Sequence, residues 1–159
     1  MLIQYKPIGI IHSPFRTREG MPVQPSGAEG IKGTVELKKE FIAGLKSLEG
    51  FSHIYLIYHF HKADGFDLEV VPFLDDKSHG IFATRAPKRP NPIGISTVKL
   101  LSICKNILEV ENVDILDGTP LLDIKPYIPV FDIYQTEKNG WINEKSANMN
   151  KIRSDDRFK

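Results

Sequence analysis

The chain has 159 residues, of which 41% are hydrophobic and 26% charged, so its length and composition are those of one ordinary globular domain. No apolar run approaches the roughly 20 residues a membrane helix needs, which leaves out a helical membrane protein. A net charge of +1 excludes no partner, because nucleic-acid binding depends on where cations cluster and not on their sum.

Met1 to Pro7 carries no charged region followed by a long apolar stretch and a small-residue cleavage site, so the expected compartment is the cytoplasm. Ile8 to Ser13 reads as a strand stopped by Pro14. Residues 13 to 31 follow as a Pro/Gly/Ser connection, of a length uncommon in compact domains unless it has a task. Gly33 to Leu37 alternates as a strand does. Phe41, Leu45 and Leu48 sit at helical spacing, which predicts a short amphipathic helix over Lys39 to Leu48.

Ser52 to His61 is the clearest strand, dense in β-branched and aromatic residues. Its period of two places His53, Tyr55, Ile57, His59 and His61 on one face and Ile54, Leu56, Tyr58 and Phe60 on the other. Shorter strands are predicted at Leu68 to Val71, Gly80 to Thr84, Ile95 to Ile103, Ile107 to Ile115 and Leu121 to Lys125. Cys104, the single cysteine, reads as a small buried hydrophobe, and one thiol permits neither an intrachain disulfide nor a thiolate metal site. From Glu137 onward the chain is polar, with a helix expected over Asn143 to Lys151 and with Trp141 expected to dock on the body or on a partner. The fold class is therefore mainly β: a small antiparallel sheet or barrel with one or two short helices over residues 1–132, followed by a polar tail over 133–159.

Chemistry concentrates in two segments. In Phe82 to Ser96, Pro87, Pro90 and Pro92 forbid a helix and a central strand, leaving a stiff loop at a strand end. Arg85, Lys88 and Arg89 bring three cations to that loop with no neighbouring carboxylate, which suits a phosphate or a carboxylate ligand. Equally, the segment reads as a proline-stiffened crossover with solvated charges. The second segment, Asp114 to Tyr127, holds the turn Asp117-Gly118-Thr119-Pro120, whose plain reading is a hairpin turn. Asp123 and Lys125 in the apolar strand that follows must be paired or lie at an edge or cleft. His53, His59 and His61 share a strand face, yet no cysteine supports them and no metal is expected. Gly-x-Gly-x-x-Gly, P-loop and Gly-x-Ser-x-Gly motifs are all missing, which argues against a Rossmann site, a P-loop NTPase and a serine hydrolase elbow.

Six ordered blocks carry a resemblance. They are Ile8 to Phe15, Pro22 to Pro25, Leu48 to His53, His59 to His61, Gly80 to Arg85 with Arg89 to Gly94, and Asp117 to Pro120 with Asp123 to Tyr127. Over Ile8 to about Phe131 the chain resembles the TsaA-like, TrmO-type family of β-barrel methyltransferases. The resemblance implies a homodimeric barrel that binds S-adenosylmethionine and methylates N6 of adenosine in tRNA, beside the anticodon, on a base already bearing a threonylcarbamoyl group. By position, the cofactor contacts would be Pro22, Val23, Gln24, His61, Lys62, Arg85, Ile95, Asp117, Gly118, Thr119 and Pro120. Val23 stands where a basic residue is familiar, which removes one phosphate contact.

A catalytic role falls on Asn91, whose side-chain oxygen is suited to accept an N6 hydrogen, with Asp123 or Tyr127 relaying a proton and Lys88 and Arg89 meeting RNA phosphate or a modified base. Bacterial members typically add a C-terminal domain, in place of which stands a short tail from Ile133 to Lys159. Two alternatives stay open: a methyltransferase of the same fold acting on a small molecule or protein, and a non-catalytic S-adenosylmethionine-binding module.

Overall fold

The computed structural model describes residues 1–142 and 151–158. Among the described residues eight strands form: β1 (Gly9–His12), β2 (Lys32–Leu37), β3 (His53–His59), β4 (Glu69–Val70), β5 (His79–Gly80), β6 (Ile93–Cys104), β7 (Ile107–Glu111) and β8 (Thr119–Pro126). Six of them close an antiparallel barrel in the order β1-β2-β7-β6-β3-β8, while β4 and β5 pair as a small separate ribbon. A barrel this narrow is filled by its own side chains rather than enclosing a channel.

The alternation along each strand explains the closure. Ile54, Leu56 and Tyr58 of β3 point inward, as their period predicts, and meet Ile11, Val35, Val98, Leu108, Val110 and Leu121 from the other five strands in one core. Leu56 lies opposite Ser96 of β6 on one side and Ile124 of β8 on the other, so β3 is a central strand of the site-bearing wall. Gly94 opens β6 where a Cβ would come within 2.3 Å of the Tyr58 ring, so only glycine fits against that aromatic.

Several predicted elements take another form. Lys39 to Leu48 is not an amphipathic α-helix but a 3-10 helix over Lys39–Leu45, which ends before Ser47 at φ 69° and a second short turn over Leu48–Gly50. Its cap makes no side-chain hydrogen bond and Gly44 weakens its interior, so the helical spacing has too little local support. Gly80 to Thr84 yields only the end of β5 and a 3-10 helix over Ile81–Ala83, closed by the Thr84 hydroxyl donating to the Ile81 carbonyl (2.9 Å). β7 stops at Glu111 because Asn112 turns the chain at φ 68°, although Val113 and Ile115 remain buried. Cys104 is exposed, since it ends β6 beside the tight Lys105-Asn106 turn rather than facing the core.

Asp117-Gly118 is not a hairpin turn either. β7 pairs with β2 and β6 and β8 pairs with β1 and β3, so the segment between them crosses one end of the barrel, and Gly118 (φ 75°) turns the chain into β8. A single turn of helix, α1 (Pro129–Asp132), follows β8. The helix expected over Asn143 to Lys151 falls on residues 143–150, outside the described residues. Trp141 does dock on the body: its Nε1 donates to the Ala83 carbonyl (2.8 Å) and its ring stacks on His79 at 4.7 Å.

Candidate active site

The long connection after β1 is tied down at its start by the Asp117 turn. The Ser13 hydroxyl donates to the Ile115 carbonyl (2.6 Å), and the Ser13 backbone N–H donates to Asp117 Oδ1 (3.1 Å). The Asp117 N–H in turn donates to the Phe15 carbonyl (2.7 Å). These bonds bend residues 13–31 back across one barrel end, where they face the Phe82 to Ser96 loop. Between them lies a cavity of about 960 Å³, the size of a small-molecule pocket.

The loop contributes Pro22, Val23 and Gln24 to this cavity, and the turn after β3 contributes His61 and Lys62. Arg85, Arg89 and Ile95 form the facing wall, and Thr119 closes the floor, where its hydroxyl donates to the Leu116 carbonyl (2.6 Å) and lies 3.3 Å from His61 Nδ1. Burial, followed by the nearby charges of Lys62 and His59, holds the His61 imidazolium below the usual histidine range. Nine of the residues singled out from sequence thus share one concavity.

The others lie elsewhere, each for a visible reason. Asp117 is occupied in holding Ser13 and stands 3.4 Å from His12, while Gly118 and Pro120 serve the entry to β8 and its pairing with β1. Asn91 is exposed and outside the lining; it contributes its carbonyl, which accepts the Ile93 N–H (2.7 Å), so the stiff Pro90-Asn91-Pro92 unit shapes the wall without facing the cavity. Asp123 pairs with Lys125 at 2.9 Å, and Tyr127 packs edge-on against Tyr55 at 5.5 Å, both on the outer barrel surface. Lys88 does not line the cavity. Arg89 lines it but is a clamp: one guanidinium nitrogen donates to the carbonyls of Ile81 (3.2 Å), Thr84 (2.9 Å) and Ala86 (3.3 Å). Arg85 differs, being exposed and making no hydrogen bond or ion pair among the described residues. It lines both the large cavity and a neighbouring one of about 460 Å³ that also takes in Tyr55, Lys125 and Asp132.

A polar relay that sequence reasoning missed runs into the cavity. Ser96 donates its hydroxyl hydrogen to Asp114 Oδ1 (2.6 Å) and stands 3.0 Å from the Tyr58 hydroxyl, which then donates to it. Burial pushes the Asp114 carboxyl up to about 6 and raises the Tyr58 hydroxyl far above the ordinary tyrosine range. A signal for Asp114 existed: a carboxylate between the buried Val113 and Ile115 must be satisfied or functional. Phe82, 77% exposed at the rim with the Arg89 guanidinium 6.0 Å from its ring centre, carried no such signal. Among the described residues no group of three or more His, Cys, Asp or Glu stands close enough to hold a metal ion, and no helix is long and apolar enough to cross a membrane.

Residues 10–133 match the family described as the tRNA-methyltransferase O N-terminal domain. The chain belongs to the TrmO family. Its similar proteins include a probable S-adenosyl-L-methionine-binding protein of Pyrococcus abyssi, 54% identical over 99% of this chain and 86% of that one. They also include a tRNA (adenine(37)-N6)-methyltransferase of Mus musculus, 36% identical over 80% of this chain and 31% of the mouse protein. The crystal structure of TrmO from Pseudomonas aeruginosa superposes with a TM-score of 0.75 at 39% identity, covering 89% of this chain and 63% of that one. Family membership makes the protein an S-adenosylmethionine-binding methyltransferase, and it spans under two thirds of that bacterial structure. The chemistry of the cavity is compatible with this cofactor: Pro22, Val23 and Ile95 give apolar wall, Arg85 brings a guanidinium with no hydrogen bond or ion pair among the described residues, and Asp114 is a carboxyl in the lining.

Proposed function

We propose that the protein methylates the exocyclic N6 of an adenosine beside the anticodon of tRNA, on a base already carrying a threonylcarbamoyl group. The observation that carries this reading is the Tyr58–Ser96–Asp114 relay opening into a cavity of cofactor size. The bound cofactor supplies a methyl group activated by its sulfonium. An adenine amine is a weak nucleophile because its lone pair is delocalised into the ring, so the protein has to orient it and take its proton. Asp114 is the group suited to that task. Ser96 fixes one carboxylate oxygen, and a carboxyl pushed up to about 6 is a stronger base than an ordinary aspartate while still ionised at neutral pH. This assignment replaces Asn91, which does not line the cavity.

In the same reading Arg85 holds the cofactor's carboxylate, Pro22, Val23 and Gln24 wall the nucleoside, and Phe82 offers a stacking face to the incoming base. Two copies of the chain assemble as a homodimer. Val130 and Phe131 at α1 are exposed apolar residues of the kind such an assembly covers. Incubation with labelled S-adenosylmethionine and total tRNA, followed by nucleoside analysis, tests the reading: the label is expected in an N6-methylated threonylcarbamoyladenosine, and Asp114→Asn is expected to abolish it. Cofactor binding with no methylation of any tRNA would overturn the acceptor and leave a methyltransferase of the same fold acting on a small molecule or protein.

A further inference from the structure

The family match ends at residue 133, yet the wall of the cavity does not. Ser154, Asp155 and Phe158 line it, together with Trp141. Phe158 is 6% exposed, inserted beside Val70, Ile81 and Ala86 with its ring edge-on to Phe73 at 5.0 Å. Arg157 anchors the same end, donating to the carbonyls of Pro72 (2.6 Å) and Asp75 (3.1 Å). Residues 151–158 are thereby fixed to the ribbon side of the cavity, and from there they reach the opposite loop.

Ser154 makes that connection. Its N–H donates to the Met21 carbonyl (2.8 Å), its carbonyl accepts the Gly20 N–H (2.9 Å), and its hydroxyl oxygen accepts the Met21 N–H (3.0 Å) while donating to the Arg18 carbonyl. Arg153 forms an antiparallel bridge with Pro22, and Arg18 donates back to the Phe158 carbonyl. Every one of these bonds falls on the stretch that ends in Pro22, Val23 and Gln24. A Pro/Gly-rich loop has no sheet of its own to hold it, so these bonds take the place of one.

We infer that residues 151–158 form part of the cofactor-binding site, with Ser154 as the positioning residue that sets the Pro22 to Gln24 wall against the bound nucleoside. The inference rests on the reading of this cavity as the cofactor site. It follows that residues outside the family's matched span govern how tightly this chain holds S-adenosylmethionine.

The test uses the full chain. S-adenosylhomocysteine is titrated by calorimetry into the wild type, Ser154→Ala, Ser154→Pro and a control, Lys138→Ala. Loss of the two hydroxyl bonds in Ser154→Ala is expected to weaken binding about fivefold, and the further loss of the N–H in Ser154→Pro by more. Lys138→Ala binds as the wild type does. With turnover measured on tRNA, Ser154→Ala raises the KM for S-adenosylmethionine and leaves kcat at saturating cofactor unchanged. Equal affinity of wild type and Ser154→Ala would overturn the inference, as would a fall in kcat with KM unmoved. Should Ser154→Pro fail to fold, Ser154→Ala decides alone. A wild type that does not bind S-adenosylhomocysteine would instead sink the assignment of the cavity, along with the inference resting on it.

Discussion

Ser96 and Asp114 meet over 2.6 Å across the end of the barrel, joining the third residue after Ile93 on β6 to a segment that follows β7. The Ser96 hydroxyl also meets Tyr58, which comes from β3 on the inward face. Three elements therefore converge on one carboxyl.

The first prediction concerns pH. The Asp114 carboxyl is raised to about 6 from 3.8, so the folded state holds its proton more tightly than the unfolded chain does. The stability this lends is fully present below about pH 4 and is lost as pH rises through about 6. Asp114→Asn removes that dependence. Urea unfolding from pH 3.5 to 7.5 should show the variant gaining on the wild type across this window, by on the order of 2–3 kcal/mol at neutral pH. A constant difference between the two curves would contradict the raised carboxyl.

The same variant separates stability from catalysis. Wild-type kcat should fall on the acid side of about pH 6 as Asp114 takes up its proton, whereas Asp114→Asn should lose activity at every pH and still bind S-adenosylhomocysteine. Full activity in the variant would remove Asp114 from the mechanism.

Gly94 offers a packing test. A Cβ there would lie 2.3 and 2.6 Å from two Tyr58 ring carbons and 2.9 Å from Phe60, so Gly94→Ala should destabilise the protein by about 2 kcal/mol or more. Gly80→Ala, with nothing within 4 Å, is the matched control and should leave Tm nearly unchanged. Differential scanning calorimetry of the pair reads the contrast.

Arg85 and Arg89 should behave differently although they sit four residues apart. Arg89→Ala removes the nitrogen bonded to three carbonyls and leaves them unsatisfied, so it should lower Tm. Arg85→Ala should change Tm little and weaken cofactor binding, because its guanidinium makes no hydrogen bond or ion pair among the described residues. Thermal melts paired with titrations of both variants distinguish the two roles.

Phe82 supplies the last. At 77% exposure its truncation to alanine costs the fold little, while loss of a stacking face should weaken tRNA binding by about 1–3 kcal/mol. Fluorescence anisotropy with an anticodon stem-loop, at fixed salt, measures it.

The strands were legible because each carries its own period: Ile54, Leu56 and Tyr58 point inward in β3 as their spacing requires. Lys39 to Leu48 failed because three apolar residues at helical spacing cannot outweigh Gly44 and an uncapped start. Within the site, residues 13 to 31 are legible as an unusually long connection, in which only the family resemblance singles out Pro22 to Gln24, and Arg85 is legible as a cation in a proline-stiffened segment. Arg89 misled for the same reason, since a cation without a neighbouring carboxylate looks free until the carbonyls that fold around it are seen.

By itself, then, the sequence determined a mainly β, antiparallel fold class, the long loop and the stiff cationic segment, because periodicity, proline and glycine act locally along the chain. Which side chains share the cavity was decided only by tertiary structure. Asp114 gains its basicity from burial beside Ser96 and Tyr58, Asn91 is turned out to solvent, and Ser154 reaches Met21 across 133 positions. Closing the barrel creates the desolvation and the distant hydrogen bonds on which those assignments depend, and neither leaves a trace in residue spacing.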